Sequence, residues 1–140
     1  MKILLPVDGS DYTKRMLAYI AAHEELLGPA HEYTLFTAVP PVPAHAASYI
    51  AEDNLKSYYD EQAHQVLRTA EAFAKQQGWT VRTAYKAEHA AQSIAAFADT
   101  GKFDLIVMGT HGHSAFANMV LGSVTTGVLA RSRVPVLLVR

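Results

Sequence analysis

Apolar residues in this chain gather in five short runs, and the stretches between the runs repeat with helical spacing. Lys2 to Asp8 (KILLPVD), Leu105 to Met108 (LIVM) and Val134 to Val139 (VPVLLV) are nearly continuous in their apolar character. Runs of that kind predict strands buried on both faces, as in a parallel sheet. Tyr33 to Val39 (YTLFTAV) is rich in aromatic and β-branched residues and predicts another strand. Trp79 to Tyr85 alternates, with Trp79, Val81, Thr83 and Tyr85 on one face. Between the strands, Met16, Leu17, Ile20, His23 and Leu27 predict a helix capped by Ser10 or Asp11 and stopped at Gly28-Pro29. The longest helix carries Leu55, Tyr59, Gln62, Ala63, Val66, Leu67, Ala70, Phe73 and Ala74, and Gly78 ends it. A short helix spans Ala90 to Ala98, with Ala91, Ile94, Ala95 and Ala98 inward and Gly101 beyond it. A last helix starts at Ser123.

The order β-α-β-α-β-α-β-α-β implies right-handed crossovers and an α/β fold, a parallel five-stranded sheet covered by helices on both faces. A length of 140 residues suits one such domain, 1–140. Pro6 cannot donate to a strand ladder, so it is expected near the end of its strand. Pro40, Pro41 and Pro43 break the second strand, and 40–48 is the longest irregular stretch. That segment reads equally as a loop closing over a site or as a plain connector.

Composition narrows the partners. Half the residues are hydrophobic and 18% are charged, which is a globular rather than a disordered balance. The net charge of −1, without a like-charged run, argues against non-specific nucleic-acid binding. The absence of cysteine excludes disulfides, thiolate metal sites and thiol catalysis, and fits a reducing compartment. The apolar run Ile3 to Val7 is too short for a signal sequence or a membrane span, so a cytoplasmic location without membrane association is expected.

Candidate chemistry concentrates in DLIVMGTHGHSAFANMVLGSVTT, Asp104 to Thr126. A strand here empties through Gly109 and Gly112, and after a nine-residue spacer Gly122-Ser123 opens a helix. Free N–H groups in a helix's first turn, with the helix dipole behind them, make a phosphate site. Glycines let backbone come close to the anion. Val124 and Thr125 would offer first-turn N–H groups, whereas Ser123 reads either as a phosphate ligand or as the helix N-cap. The pattern is neither a Walker loop, which needs a lysine before the Ser/Thr, nor G-x-G-x-x-G.

Written as G-x2-G-x9-G-S, the pattern resembles the nucleotide-binding signature of the universal stress protein family, as do PVDGS near the N-terminus and LGSVTTGVLARSRVPVLLV at the C-terminus. The resemblance covers essentially the whole chain. It implies a Rossmann-like doubly wound sheet of order 3-2-1-4-5, and hence a switch point between the first and fourth strands where Asp8 and Gly109 stand. It further implies ATP, or ADP or AMP, as ligand. Gly109, Gly112, Gly122 and Ser123 would cradle phosphate, and Thr110, His111, His113 and Ser114 would line the loop. Pro6 and Val39 would flank the base, Val39 through its backbone, and Val7 and Met108 complete the expected set.

Asp8 would hold the ribose edge or a Mg²⁺ carried by the nucleotide; a turn aspartate bonding local backbone is the competing reading. His111 and His113 could both reach an ion, but a closed site needs about four ligands and none completes it. A protonated His113 near phosphate is favoured instead. No triad, arginine finger or carboxylate pair stands out. Three functions follow: a nucleotide-binding stress-response regulator acting through conformation or dimer contacts, a slow ATPase or phosphotransferase, or an interaction module without ligand. An apolar last strand at the sheet edge predicts antiparallel pairing with a second copy, as the resemblance also implies. The downstream protein partner is not readable.

Overall fold

In a computed structural model of the chain, the strands are β1 (Lys2–Pro6), β2 (Glu32–Ala38), β3 (Thr80–Lys86), β4 (Leu105–Gly109) and β5 (Val136–Val139). The helices are α1 (Asp11–Ala22), α2 (Glu24–Leu27), α3 (Ala44–Ala47), α4 (Glu52–Gln76), α5 (Ala90–Thr100) and α6 (Ser123–Arg131). The structure describes residues 1–114, 116 and 118–140; Ala115 and Ala117, inside the spacer between Gly112 and Gly122, lie outside the described residues. The strands form one parallel sheet in the order β3-β2-β1-β4-β5, the order and helical covering that the sequence resemblance implies.

The continuous apolar runs are explained by two cores. Ile3, Leu5 and Val7 of the first run join Leu35 and Val107 under α1 and α4, which contribute Met16, Ile20, Ala63 and Leu67. Leu4, Phe36, Ile106 and Met108 point the other way, against Ile94 and Ala98 of α5 and Val128 of α6. Each large side chain so removed from water contributes roughly 1.5–3 kcal/mol. The small residues of α4, among them Ala63, Ala70 and Ala74, let a long helix lie close on the sheet. Gly127 does the same between α6 and α5: a Cβ there would stand 2.5 Å from that of Ala91.

Two local expectations are corrected. The helix expected to run to Leu27 breaks at His23, whose φ of −126° and ψ of 55° are not helical, and α2 restarts beyond it. The imidazole Nδ1 of His23 lies 2.8 Å from the Tyr19 carbonyl and its ring stacks on Tyr19, interactions invisible to apolar periodicity. Within 40–48, the chain winds into the single turn α3 rather than staying irregular. The expected strand ends shift by a residue or two, with β1 stopping at Pro6 and β5 starting at Val136.

β1 and β4 pair only through Ile3 with Leu105 and Leu4 with Ile106, whereas β1 follows β2 as far as Pro6 with Phe36. Val7 donates to the Phe36 carbonyl at 2.8 Å, so by strand alternation position 6 faces β4. Pro6 has no N–H to offer on that side. The two central strands therefore part at their carboxyl ends.

Candidate functional site

The gap between β1 and β4 opens into a cleft of about 350 Å³. Pro6, Val7 and Asp8 form one lip, and Met108 and Gly109 the other. His111, Gly112, His113 and Ser114 arch over it, and Gly122, Ser123, Val124 and Thr125 close its far end. Thr13, Phe36, Ala38, Pro40, Ala90 and Ile94 also line it and were not anticipated. The alternation of β2 held the signal for two of them. Val39 packs in the core under α1 and α4, so Phe36 and Ala38, three and one residues earlier, face the other side, where the cleft lies.

Two expected residues are not part of this lining. Val39 is buried at 5% exposure, and its N–H donates to the Lys86 carbonyl at 2.8 Å. Thr110 is turned away: its N–H donates to Val139 at 3.0 Å, and its carbonyl accepts from Gly122 at 2.8 Å. That second bond staples the two ends of the loop together and delivers Gly122 to the cleft.

Gly122, not Ser123, is the N-cap of α6, with φ −71° and ψ 161°, and no side chain caps the helix. The first helical bond is Thr126 N–H to the Gly122 carbonyl at 3.0 Å, so the N–H groups of Ser123, Val124 and Thr125 have no partner within the helix. The Thr125 hydroxyl donates to the Gly109 carbonyl at 3.0 Å and fixes this first turn against the end of β4. The result is a positive helix end, uncapped and aimed into a cleft, which suits an anion.

The glycines serve the protein's own packing as well as any ligand. A Cβ on Gly109 would lie 2.8 Å from the Tyr12 Cβ, one on Gly112 would lie 2.5 Å from Asp8 Oδ2, and one on Gly122 would lie 3.1 Å from the His111 Cα. Asp8 in turn is held by the start of α1. Its Oδ1 accepts from the Ser10 N–H at 2.9 Å and from the Thr13 hydroxyl at 2.9 Å. Ser10 caps α1, its side chain accepting from the Thr13 N–H. One carboxylate oxygen thus serves the turn, and Oδ2 has no hydrogen-bond partner among the described residues and faces Gly112.

The histidines are engaged in the loop. His111 places Nε2 2.9 Å from the Met119 carbonyl and Nδ1 2.9 Å from the Thr110 hydroxyl. A carbonyl has no proton to give, so Nε2 donates there. His113 Nε2 likewise donates to the Asp8 carbonyl at 2.6 Å, bridging the loop to the end of β1. Among the described residues no three side chains of metal-ligating type gather together.

A β1/β4 crevice at the carboxyl ends of the strands, closed by an uncapped helix, is the switch-point architecture of doubly wound α/β folds. The comparisons with known proteins are specific: the model of the Universal stress protein family matches residues 1–140, and the chain belongs to that family. It is 36% identical over 138 residues to a universal stress protein of Thermus aquaticus, covering 99% of this chain and 97% of that protein. It is 29% identical over 140 residues to universal stress protein Slr1230 of Synechocystis, of which it spans 42%. The solved structure of protein MJ0577 superposes with a TM-score of 0.78 at 28% identity, covering 99% of this chain and 94% of that one. A universal stress protein solved in complex with cAMP gives 0.65 at 25% identity, covering 100% and 96%. More distant neighbours sharing the fold were solved with dAMP, from Archaeoglobus fulgidus, and with AMP, from Arabidopsis thaliana.

The packing around the glycines separates two substitutions. Gly109→Ala pushes a methyl onto Tyr12, including its backbone at 3.3 Å, and should cost about 1–3 kcal/mol in a urea melt. Gly112→Ala meets no backbone, only the Asp8 carboxylate, whose displacement strains its bonds to Ser10 and Thr13, and should cost about 1 kcal/mol, less than the change at Gly109. Equal losses would show that the Tyr12 contact is not what requires glycine.

Proposed function

We propose that the cleft binds an adenine nucleotide, ATP in the first instance, and that the protein acts as a stress-response regulator through conformation or dimer contacts. The observation that carries this reading is the row of Ser123, Val124 and Thr125 N–H groups without helical partners at the cleft's end. The polyphosphate would lie there, between the glycines and the first turn of α6. The apolar pocket of Phe36, Ala38, Met108 and Ile94 would take the base. The nucleotide complexes among its relatives support this assignment.

Asp8 Oδ2 is the atom suited to a Mg²⁺ that arrives with the nucleotide, since magnesium pairs one or two carboxylates with phosphate oxygens. Among the described lining residues Asp8 is the sole carboxylate and none is an arginine. Efficient phosphoryl transfer asks for a positioned base and a cation at the transferring phosphate. Binding with slow or absent hydrolysis is therefore the reading favoured over a working ATPase. A linear turnover trace that scales with protein and disappears in a Gly122 variant would reverse that preference.

The protein is further proposed to be a cytoplasmic homodimer through β5. β5 is an edge strand whose Val136, Leu137 and Leu138 remain only partly covered, and an apolar edge left open invites pairing. Light scattering at micromolar concentration should give twice the chain mass, and Leu138→Lys should return it to one chain.

Ser123→Asp should leave α6 folded, because an acid in the first turn suits the dipole. The same carboxylate would face the polyphosphate, and two like charges ~4 Å apart repel by about 4 kcal/mol at an effective dielectric of 20. Affinity for ATP should fall by about a thousandfold. Ser123→Ala removes one hydroxyl and keeps the amides, so it should weaken binding by less than about tenfold. Calorimetric titration with circular dichroism melts reads both, and a folded Ser123→Asp protein that binds ATP like the parent rejects the site.

Asp8→Ala separates its two readings: a loss seen with Mg²⁺ and absent in EDTA marks the metal, whereas an equal loss in both marks the ribose. Unchanged binding in both conditions excludes each role.

A further inference from the structure

A second cleft, of about 330 Å³, lies behind the first. Tyr12 and Arg15 of α1 form one side, Thr110 and His111 its floor, Met119 and Val120 the opposite limb of the loop, and Arg140 follows β5 at its mouth. His111 lines both clefts. Its ring is tilted by 41° against that of Tyr12 with centroids 5.0 Å apart, and the Arg15 guanidinium lies over the same Tyr12 ring, 5.0 Å from its centroid.

Two cationic side chains, Arg15 and Arg140, line the cleft, and among the described residues no acidic side chain lines it and neither guanidinium forms an ion pair with one. Guanidinium groups present planar forks that match carboxylate and phosphate oxygens. Stacking on Tyr12 restrains Arg15 before any ligand arrives, which lowers the ordering cost of binding. Met119 and Val120, exposed at 40% and 83%, give the anion's carbon skeleton an apolar wall.

We propose that this second cleft binds a small anion carrying a carboxylate or phosphate group, with Arg15 and Arg140 as its charge partners. His111 is then a shared wall. Its bonds to Thr110 and Met119 hold the loop whose far end delivers Gly122 to the first cleft. A ligand on one side of that wall would bias the loop seen by a ligand on the other. The site's existence does not depend on the nucleotide assignment.

The test uses the full chain labelled with ¹⁵N, titrated at fixed ionic strength with inorganic phosphate and, separately, with succinate. Arg15 and Arg140 side-chain Nε signals and the His111 amide should shift and saturate. The arm that saturates at lower concentration identifies the anion class. In the Arg15→Gln, Arg140→Gln double variant the apparent affinity at the His111 amide should fall by at least about tenfold. The amides of Gly122 to Thr125 report the first cleft in the same spectra. Their response to ATP stays the measure of the nucleotide reading, so failure of either site is seen independently. Linear shifts without saturation in both arms, or equal titration of the folded double variant, would overturn the proposal. So would protection of the two arginines on raising protein concentration without added anion, which would show a second copy filling the cleft.

Discussion

The parting of β1 from β4 is the constraint on which the site depends. Parallel strands that remained paired to their ends would leave no crevice. These two pair at Ile3 with Leu105 and Leu4 with Ile106 and no further. Each then stays with its outer neighbour, β1 with β2 through Pro6 and β4 with β5 through Gly109. A residue without an N–H stands on the side where the strands diverge, so the opening leaves no ladder donor stranded there. Strand order makes this the place where crossovers leave in opposite directions.

What the fold brings to the crevice is a helix end. The first turn of α6 reaches the cleft because the Gly122 N–H bonds the Thr110 carbonyl and the Thr125 hydroxyl bonds the Gly109 carbonyl. Backbone amides fixed in this way need not reorganise when an anion arrives, and the dipole behind them adds a modest favourable field. Side chains refine the opening: Asp8 divides its carboxylate between the α1 turn and the cleft, and His113 ties the arch to the end of β1.

The strands, the long helix and the glycine-to-helix junction were legible in the sequence because each rests on a period or on punctuation. β1 reads as continuous apolar residues since Ile3 and Leu5 enter one core while Leu4 enters the other. His23 was misplaced inside a helix because apolar spacing cannot see an imidazole bonding the Tyr19 carbonyl. The N-cap fell one residue early, at Gly122, since capping by backbone conformation alone leaves no side-chain mark. Thr110 sits in the middle of the motif, yet its two main-chain bonds turn it from the cleft, and linear spacing carries no information about that rotation. Arg15 and Arg140, far apart in the chain, meet only through the fold.

The crowding around Gly109 has a bearing on how the motif should be interpreted across descent. Tyr12 excludes a methyl at that position whether or not a ligand is ever present. The fold alone therefore favours that glycine, independently of any ligand. Ser123, exposed and bound to nothing else in the described structure, is under no such obligation. Within this architecture folding constrains the first glycine of the signature and leaves the serine side chain free to vary.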